Sequence, residues 1–166
     1  MQSTVLKSFG EYELRRCLPH QVSQVIDINM RTLPEHYSDE FYYDLLENFP
    51  EGFIIAVKGE RVVGYVINRT EFGFSNVKGF SLTKKGHVVS VAILEEHRRK
   101  GLGRLLMEEA LKAMVEKGCK EAFLEVRATN TAAVSLYEAM DFKTMDTLRH
   151  YYRDGEDARL MVKELD

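Results

Sequence analysis

The sequence predicts an α+β protein built on one mixed sheet, and three observations carry that expectation. β-rich runs and helical periods succeed one another along the whole length, with turn residues between them. The longest helical period, Gly101 to Lys117, lies between two β-rich runs. A helical crossover of this kind joins parallel strands. The remaining runs are free to pair antiparallel, starting with a hairpin in the middle of the chain.

Taken in order, Tyr12 to Leu18 reads as the first strand. Pro19 fits the first turn of a helix, where its missing N–H costs nothing. Val22, Val25, Ile26, Ile28 and Met30 give that helix an apolar face up to Leu33, and Pro34 stops it. The loop Pro34-Glu35-His36-Tyr37 leads into Ser38-Asp39-Glu40, a cap with acids in the first turn. Phe41, Leu45 and Leu46 supply the buried side of this second helix, which Pro50 and Gly52 end. Phe53 to Val57, the turn Lys58-Gly59-Glu60 and Val62 to Ile67 make the hairpin. Asn68 to Gly86 has no clean period and reads as a long, partly mobile β connection. Val88 to Leu94 is the fourth strand. Leu102, Leu105, Leu106, Ala110, Ala113 and Met114 line one side of the long helix, and Gly118 follows its end. Ala122 to Val126 is the fifth strand. Asn130 caps a short helix carrying Ala133, Leu136, Tyr137 and Met140, and Phe142 to Leu148 and Ala158 to Val162 close the chain as strands. The expectation is about seven strands and four helices in a single domain spanning 1–166.

Composition narrows the function. With 45% hydrophobic and 30% charged residues the chain has the balance of a folded soluble protein. No stretch approaches the ~20 apolar residues that cross a bilayer. Met1 to Gly10 lacks a basic start and an apolar run, so a cytoplasmic protein without membrane contact is expected. A net charge of -3 argues against nucleic acid as partner. Cys17 and Cys119, the only 2 cysteines, are too few for a disulfide framework. The 5 histidines (His20, His36, His87, His97, His150) show no metal-ligand spacing, so no metal is expected.

One segment departs from ordinary surface chemistry. His97-Arg98-Arg99-Lys100-Gly101-Leu102-Gly103-Arg104 joins a strand to a helix. Cations at a helix N-terminus face the positive end of the dipole, at a cost of roughly 0.3–1 kcal/mol each. An anion offsets that cost: glycines let the backbone approach, and free amides and cations close around it. A diphosphate fits. The alternative is a basic cluster without a ligand. Leu106 stands where the dinucleotide fingerprint needs its third glycine, and no Gly-Lys-Ser/Thr occurs.

Arg98-x-x-Gly101-x-Gly103 resembles the R/Q-x-x-G-x-G/A signature of the GNAT superfamily of acetyltransferases, which binds the pyrophosphate of acetyl-CoA. The element order is similar to that fold along nearly the whole chain. Leu33-Pro34-Glu35-His36-Tyr37, His87-Val88-Val89-Ser90-Val91-Ala92, Leu124-Glu125-Val126-Arg127-Ala128-Thr129-Asn130, Ser135-Leu136-Tyr137-Glu138 and Tyr151-Tyr152-Arg153-Asp154-Gly155-Glu156-Asp157-Ala158 follow in that order. This set resembles the protein N-terminal acetyltransferases, the archaeal catalytic subunits in particular. His36 departs from the related loop, which more often has Asn, and leaves the preferred first residue open.

The resemblance implies a GNAT-like sheet splayed between the fourth and fifth strands, with acetyl-CoA as co-substrate and protein or peptide N-termini as acceptors. It also brings in ribosome association or an auxiliary subunit as partners. An α-amino group has pKa ~7.7–8.0, so about a tenth is neutral at pH 7 and a modest base suffices. His87 and Glu125, on the two splayed strands, are the expected base; read structurally, they are a strand-end histidine and an acid paired with Arg127. Glu35 lines the peptide entrance in the resembling family, as water or amine positioner, or is a plain loop carboxylate. Tyr137 approaches the CoA sulfur there and protonates the leaving thiolate, or is an aromatic at the core edge. The diphosphate falls to Arg99, Lys100, Gly101, Leu102, Gly103 and Arg104. The backbone of Val91, Ala92 and Ile93 bonds the pantetheine amides as an added strand would. Asn130 is helix cap and polar cofactor contact, and Tyr37 and Tyr152 face the substrate peptide. The expected activity is an acyltransferase working by direct attack in a ternary complex. The alternatives are a GNAT acting on a small amine or lysine, a non-catalytic CoA-binding module, and an interaction protein without a ligand.

Overall fold

The computed structural model describes residues 4–166. Its elements are β1 (Val5–Phe9), β2 (Tyr12–Arg16), α1 (Val22–Thr32), α2 (Asp39–Asn48), β3 (Phe53–Lys58), β4 (Arg61–Phe74), β5 (Leu82–Ile93), α3 (Leu102–Glu116), β6 (Glu121–Arg127), α4 (Thr131–Ala139), β7 (Lys143–Leu148) and β8 (Ala158–Glu164). Strand order is β1-β2-β3-β4-β5-β6-β8-β7 in a mixed sheet. β5 and β6 run parallel, as the helical crossover requires, and β6–β8 and β7–β8 run antiparallel.

One expectation is corrected and another made definite. The sheet has eight strands rather than seven, because Val5–Phe9 pairs with β2 (Lys7↔Leu14, Phe9↔Tyr12) around Gly10, whose φ is +59°. β1 is an edge strand with Val5 and Phe9 exposed, so it carries no alternating pattern, and only the backbone ladder reveals it. The long, partly mobile β connection expected over 68–86 takes the form of two strand arms, since β4 runs on to Phe74 and β5 starts at Leu82. The tip is fastened by Glu121, a buried carboxylate that accepts the Ser75 hydroxyl and the Asn76 N–H at 2.9 Å.

Two compact units divide the chain: residues up to Arg69 with Val88–Ala113, and Thr70–His87 with Met114–Asp166. In the first, α1 buries Val22, Val25, Ile28 and Asn29, and Met30 is exposed. The stripe at Val22, Val25 and Asn29 follows the helical period, and Met30 lies one residue, about 100°, off it. α2 starts at the Ser38 hydroxyl, which accepts the Phe41 N–H at 3.3 Å. It buries Tyr42 and Leu45, so Tyr42 takes the core place expected for Phe41. In the second unit, Gly118 (φ +90°) closes α3 by donating to Val115 O at 3.0 Å, while the Cys119 N–H reaches Met114 O at 2.9 Å. A Cβ on Gly86 would strike the Met114 side chain, so glycine permits that close approach of helix and strand.

Candidate active site

In the second unit, His87 pairs with Phe123 at the end of the β5–β6 ladder (Lys85↔Glu121, Gly86↔Ala122, His87↔Phe123). Glu125 lies two residues along β6 on the same face as Phe123, because strand side chains alternate. That register brings the groups together: His87 Nε2 lies 2.7 Å from Glu125 Oε1. The imidazole stacks on Phe123 with centroids 4.4 Å apart and planes 2° from parallel, which holds its orientation. Both side chains are largely buried, at 10% and 17% exposure, so the pair is weakly screened.

Arg127, offered as a partner for Glu125, binds two acids of the β7–β8 loop. Its Nη1 donates to Asp154 at 2.8 Å and Glu156 at 2.7 Å, and its guanidinium lies 4.2 Å from the Tyr152 ring centroid. Glu156 also accepts the Thr129 hydroxyl and the Thr129 N–H at 3.2 Å. The Thr129 hydroxyl, then Arg127, holds the Glu156 carboxyl below its usual range; the Glu156 N–H, then Arg127, does so for Asp154. Tyr152 is therefore held at the mouth of the β7–β8 loop, with Tyr151 edge-on at 5.0 Å.

In α4, Asn130 Oδ1 accepts the Ala133 N–H at 3.2 Å, the capping role expected of it. Tyr137 is buried beside Phe142, and burial pushes its phenol up to about 12. It stays protonated at every physiological pH.

In the first unit, the Glu35 loop is carried by α1: Asn29 Nδ2 donates to Glu35 O at 3.1 Å and to Tyr65 Oη at 3.2 Å. Tyr65 Oη lies 2.8 Å from Ser90 Oγ. Burial raises the Tyr65 phenol, against the lowering effect of its Ser90 and Asn29 hydrogen bonds. Tyr37 packs on Phe41 at 4.9 Å, and its hydroxyl reaches Val89 O at 3.5 Å. His36 Nε2 donates to Leu33 O at 2.7 Å. Of the polar trio Asn29, Tyr65 and Ser90, only Ser90 falls within a segment singled out by sequence, and there without a role of its own. The trio's only other signal in the sequence is an amide on the apolar stripe of α1.

The basic turn belongs to the same unit. Arg98 Nε donates to Ile93 O at 2.9 Å, and Lys100 lies 5.7 Å from the ring centroid of Tyr12, whose hydroxyl meets His97 Nδ1 at 2.8 Å. Arg99 (φ +63°) and Gly101 (φ +86°) adopt left-handed conformations that turn backbone N–H groups toward one side. The first intrahelical bond runs from Leu105 N to Gly101 O at 3.2 Å, so the N–H groups of Leu102, Gly103 and Arg104 face outward from α3. Arg99, Lys100 and Arg104 are exposed, whereas Leu102 anchors the turn in the core. Outward N–H groups beside exposed cations are the chemistry an anion site needs. Ala92 and Ile93 are buried, as expected of residues that offer only backbone, and Val91 is half-buried.

The profile of the acetyltransferase (GNAT) family matches residues 22–142. The chain belongs to that family. The matched span holds Glu35, His87, the basic turn, Glu125, Asn130 and Tyr137; Tyr152 lies beyond it. Among relatives, the N-alpha-acetyltransferase of Sulfurisphaera tokodaii is 44% identical over 99% of this chain and 100% of its own. Among solved structures, Ard1 from Thermoplasma volcanium matches with a TM-score of 0.81 at 26% identity, over 94% of this chain and 99% of its own. The NatC complex bound to Gag peptide and CoA has a chain that matches with a TM-score of 0.84 at 25% identity, over 93% and 99%.

Proposed function

We propose that this chain is an N-alpha-acetyltransferase that moves acetyl from acetyl-CoA to the α-amino group of protein N-termini. The observation that carries the reading is the His87–Glu125 pair, 2.7 Å apart, in a chain alike from end to end to a relative of that name. The diphosphate of acetyl-CoA binds the outward N–H groups and cations of the turn Arg99–Arg104. Pantetheine follows the backbone of Val91, Ala92 and Ile93, and Asn130 adds a polar contact. The acceptor amine gives its proton to the His87–Glu125 pair, and the neutral nitrogen attacks the thioester carbonyl. As the C–N bond forms and the C–S bond breaks, the nitrogen sheds its second proton, which ends on the departing sulfur to give the amide and the CoA thiol, while the Tyr137 hydroxyl hydrogen-bonds the developing thiolate. Glu35 orients the incoming amine, and Tyr37 and Tyr152 hold the peptide backbone. No metal takes part.

The chain 1–166 acts as one catalytic domain in the cytoplasm, with an auxiliary subunit or the ribosome presenting the substrate. No helix among the described residues is long and apolar enough to cross a membrane. Measuring kcat/KM on peptides with free N-termini, against N-blocked peptides containing lysine, tests the reading. Preference for the free N-terminus is expected; preference for the blocked set assigns the chain to lysine or small-amine acetylation.

A further inference from the structure

We infer that Asn29 and Tyr65 are positioning residues for the acceptor peptide, acting by tying the Glu35–Tyr37 loop to strand β5. The inference rests on the acetyltransferase reading for its kinetic consequence, but not for its structural content. Asn29 lies on the buried face of α1 and Tyr65 on β4, both with 0% exposure, and Ser90 on β5 has 8%. Glu35 O is a carbonyl and only accepts, which identifies the Asn29 atom facing it at 3.1 Å as the amide nitrogen. The second N–H of that amide then goes to Tyr65 Oη at 3.2 Å. The single phenolic proton of Tyr65 therefore points to Ser90 Oγ at 2.8 Å.

The donors thus run one way, from helix to phenol to strand, with the loop carbonyl hung on the same amide. Tyr37 adds a second tie, its hydroxyl reaching Val89 O at 3.5 Å. The Glu35 loop is fastened at two adjacent β5 residues, Val89 and Ser90. Asn29 Oδ1 is buried without a hydrogen-bond partner among the described residues. A buried amide left half-satisfied is a poor choice for stability alone, since an apolar residue fits that stripe. It is explained if the two donors are what the position is kept for.

The test uses Tyr65→Phe, which keeps the ring and removes one oxygen, and Asn29→Asp, which keeps the shape and removes both donors. Hydrogen exchange of the Glu35, His36 and Tyr37 amides should speed at least 10-fold in Tyr65→Phe, with the amides of α2 unchanged. Peptide KM should rise 3- to 10-fold, while kcat at saturating peptide and the Kd of acetyl-CoA stay within 2-fold. Ser90→Thr, which retains the hydroxyl, should restore wild-type exchange where Ser90→Ala does not. Unchanged loop exchange in Tyr65→Phe overturns the inference, whatever the enzyme acetylates. So does a loss in which peptide KM and acetyl-CoA Kd move together. If the loop loosens but no free N-terminal peptide is acetylated even by the wild type, the anchoring stands and the acetyltransferase reading falls.

Discussion

Replacing Glu125 by Gln removes one charge from a pair 2.7 Å apart while keeping a hydrogen-bonding group of the same shape. The imidazole keeps its stack on Phe123, so the change reaches the proton acceptor and little else. General bases contribute roughly 10²- to 10⁴-fold. The low end applies here, because about a tenth of an α-amine at pH 7 is already neutral and needs no base. The expected loss in kcat/KM for peptide is ~100-fold at pH 7, or ~2.7 kcal/mol of transition-state stabilisation. At pH 9 about nine-tenths of the amine has lost its proton to water, so the defect should shrink to ~10-fold. Initial rates at both pH values, alongside calorimetric Kd for acetyl-CoA, check this. A loss below 3-fold at pH 7, or an equal defect at pH 7 and 9, refutes the assignment of the pair as base. A matching loss of acetyl-CoA affinity refutes it as well.

Cys17 and Tyr137 are raised by burial from 9.0 and 10.0 to about 12 each. The folded protein keeps both protons while the unfolded chain releases them, so stability is full below pH 9 and falls as pH rises toward 12, by about 1.4 kcal/mol per pH unit per group. Urea unfolding at pH 8, 9.5 and 10.5 should show the fall, and Cys17→Ala should make it shallower without moving its onset, because burial also raises the Cys119 thiol from 9.0. Gly101→Ala puts a Cβ where no atom of the described residues lies within 4 Å, so the φ of +86° is what resists it, at roughly 1–2 kcal/mol. Its thermal midpoint should drop by a few degrees, whereas acetyl-CoA Kd should rise more than 10-fold by calorimetry. Asn130→Ala removes the α4 cap and should lower unfolding free energy by about 1 kcal/mol in urea titration.

The cradle of the basic turn was legible in the sequence because it is local: a strand end, two glycines and a helix start within eight residues. His87 and Glu125 stood out as residue types, but their contact spans 38 positions and depends on the register Lys85↔Glu121. Shifting that register by one residue would put Glu125 on the other face of β6. The pairing of Arg127 with Asp154 and Glu156 follows from the β6–β8 ladder. Asn29, Tyr65 and Ser90 gave no local sign of joining, since a polar residue on an apolar stripe says that a partner is needed and not which one.

From residue order alone came the α+β class, the four helices, the parallel crossover and the strand-to-helix turn before α3. Each is written in a period or a turn that spans a few residues of chain. Only the folded chain decided that Val5–Phe9 is a strand, that 68–86 forms two arms, and which buried donor meets which acceptor. Those outcomes come from backbone groups and buried polar atoms that must be satisfied across the sheet, by partners far away in sequence.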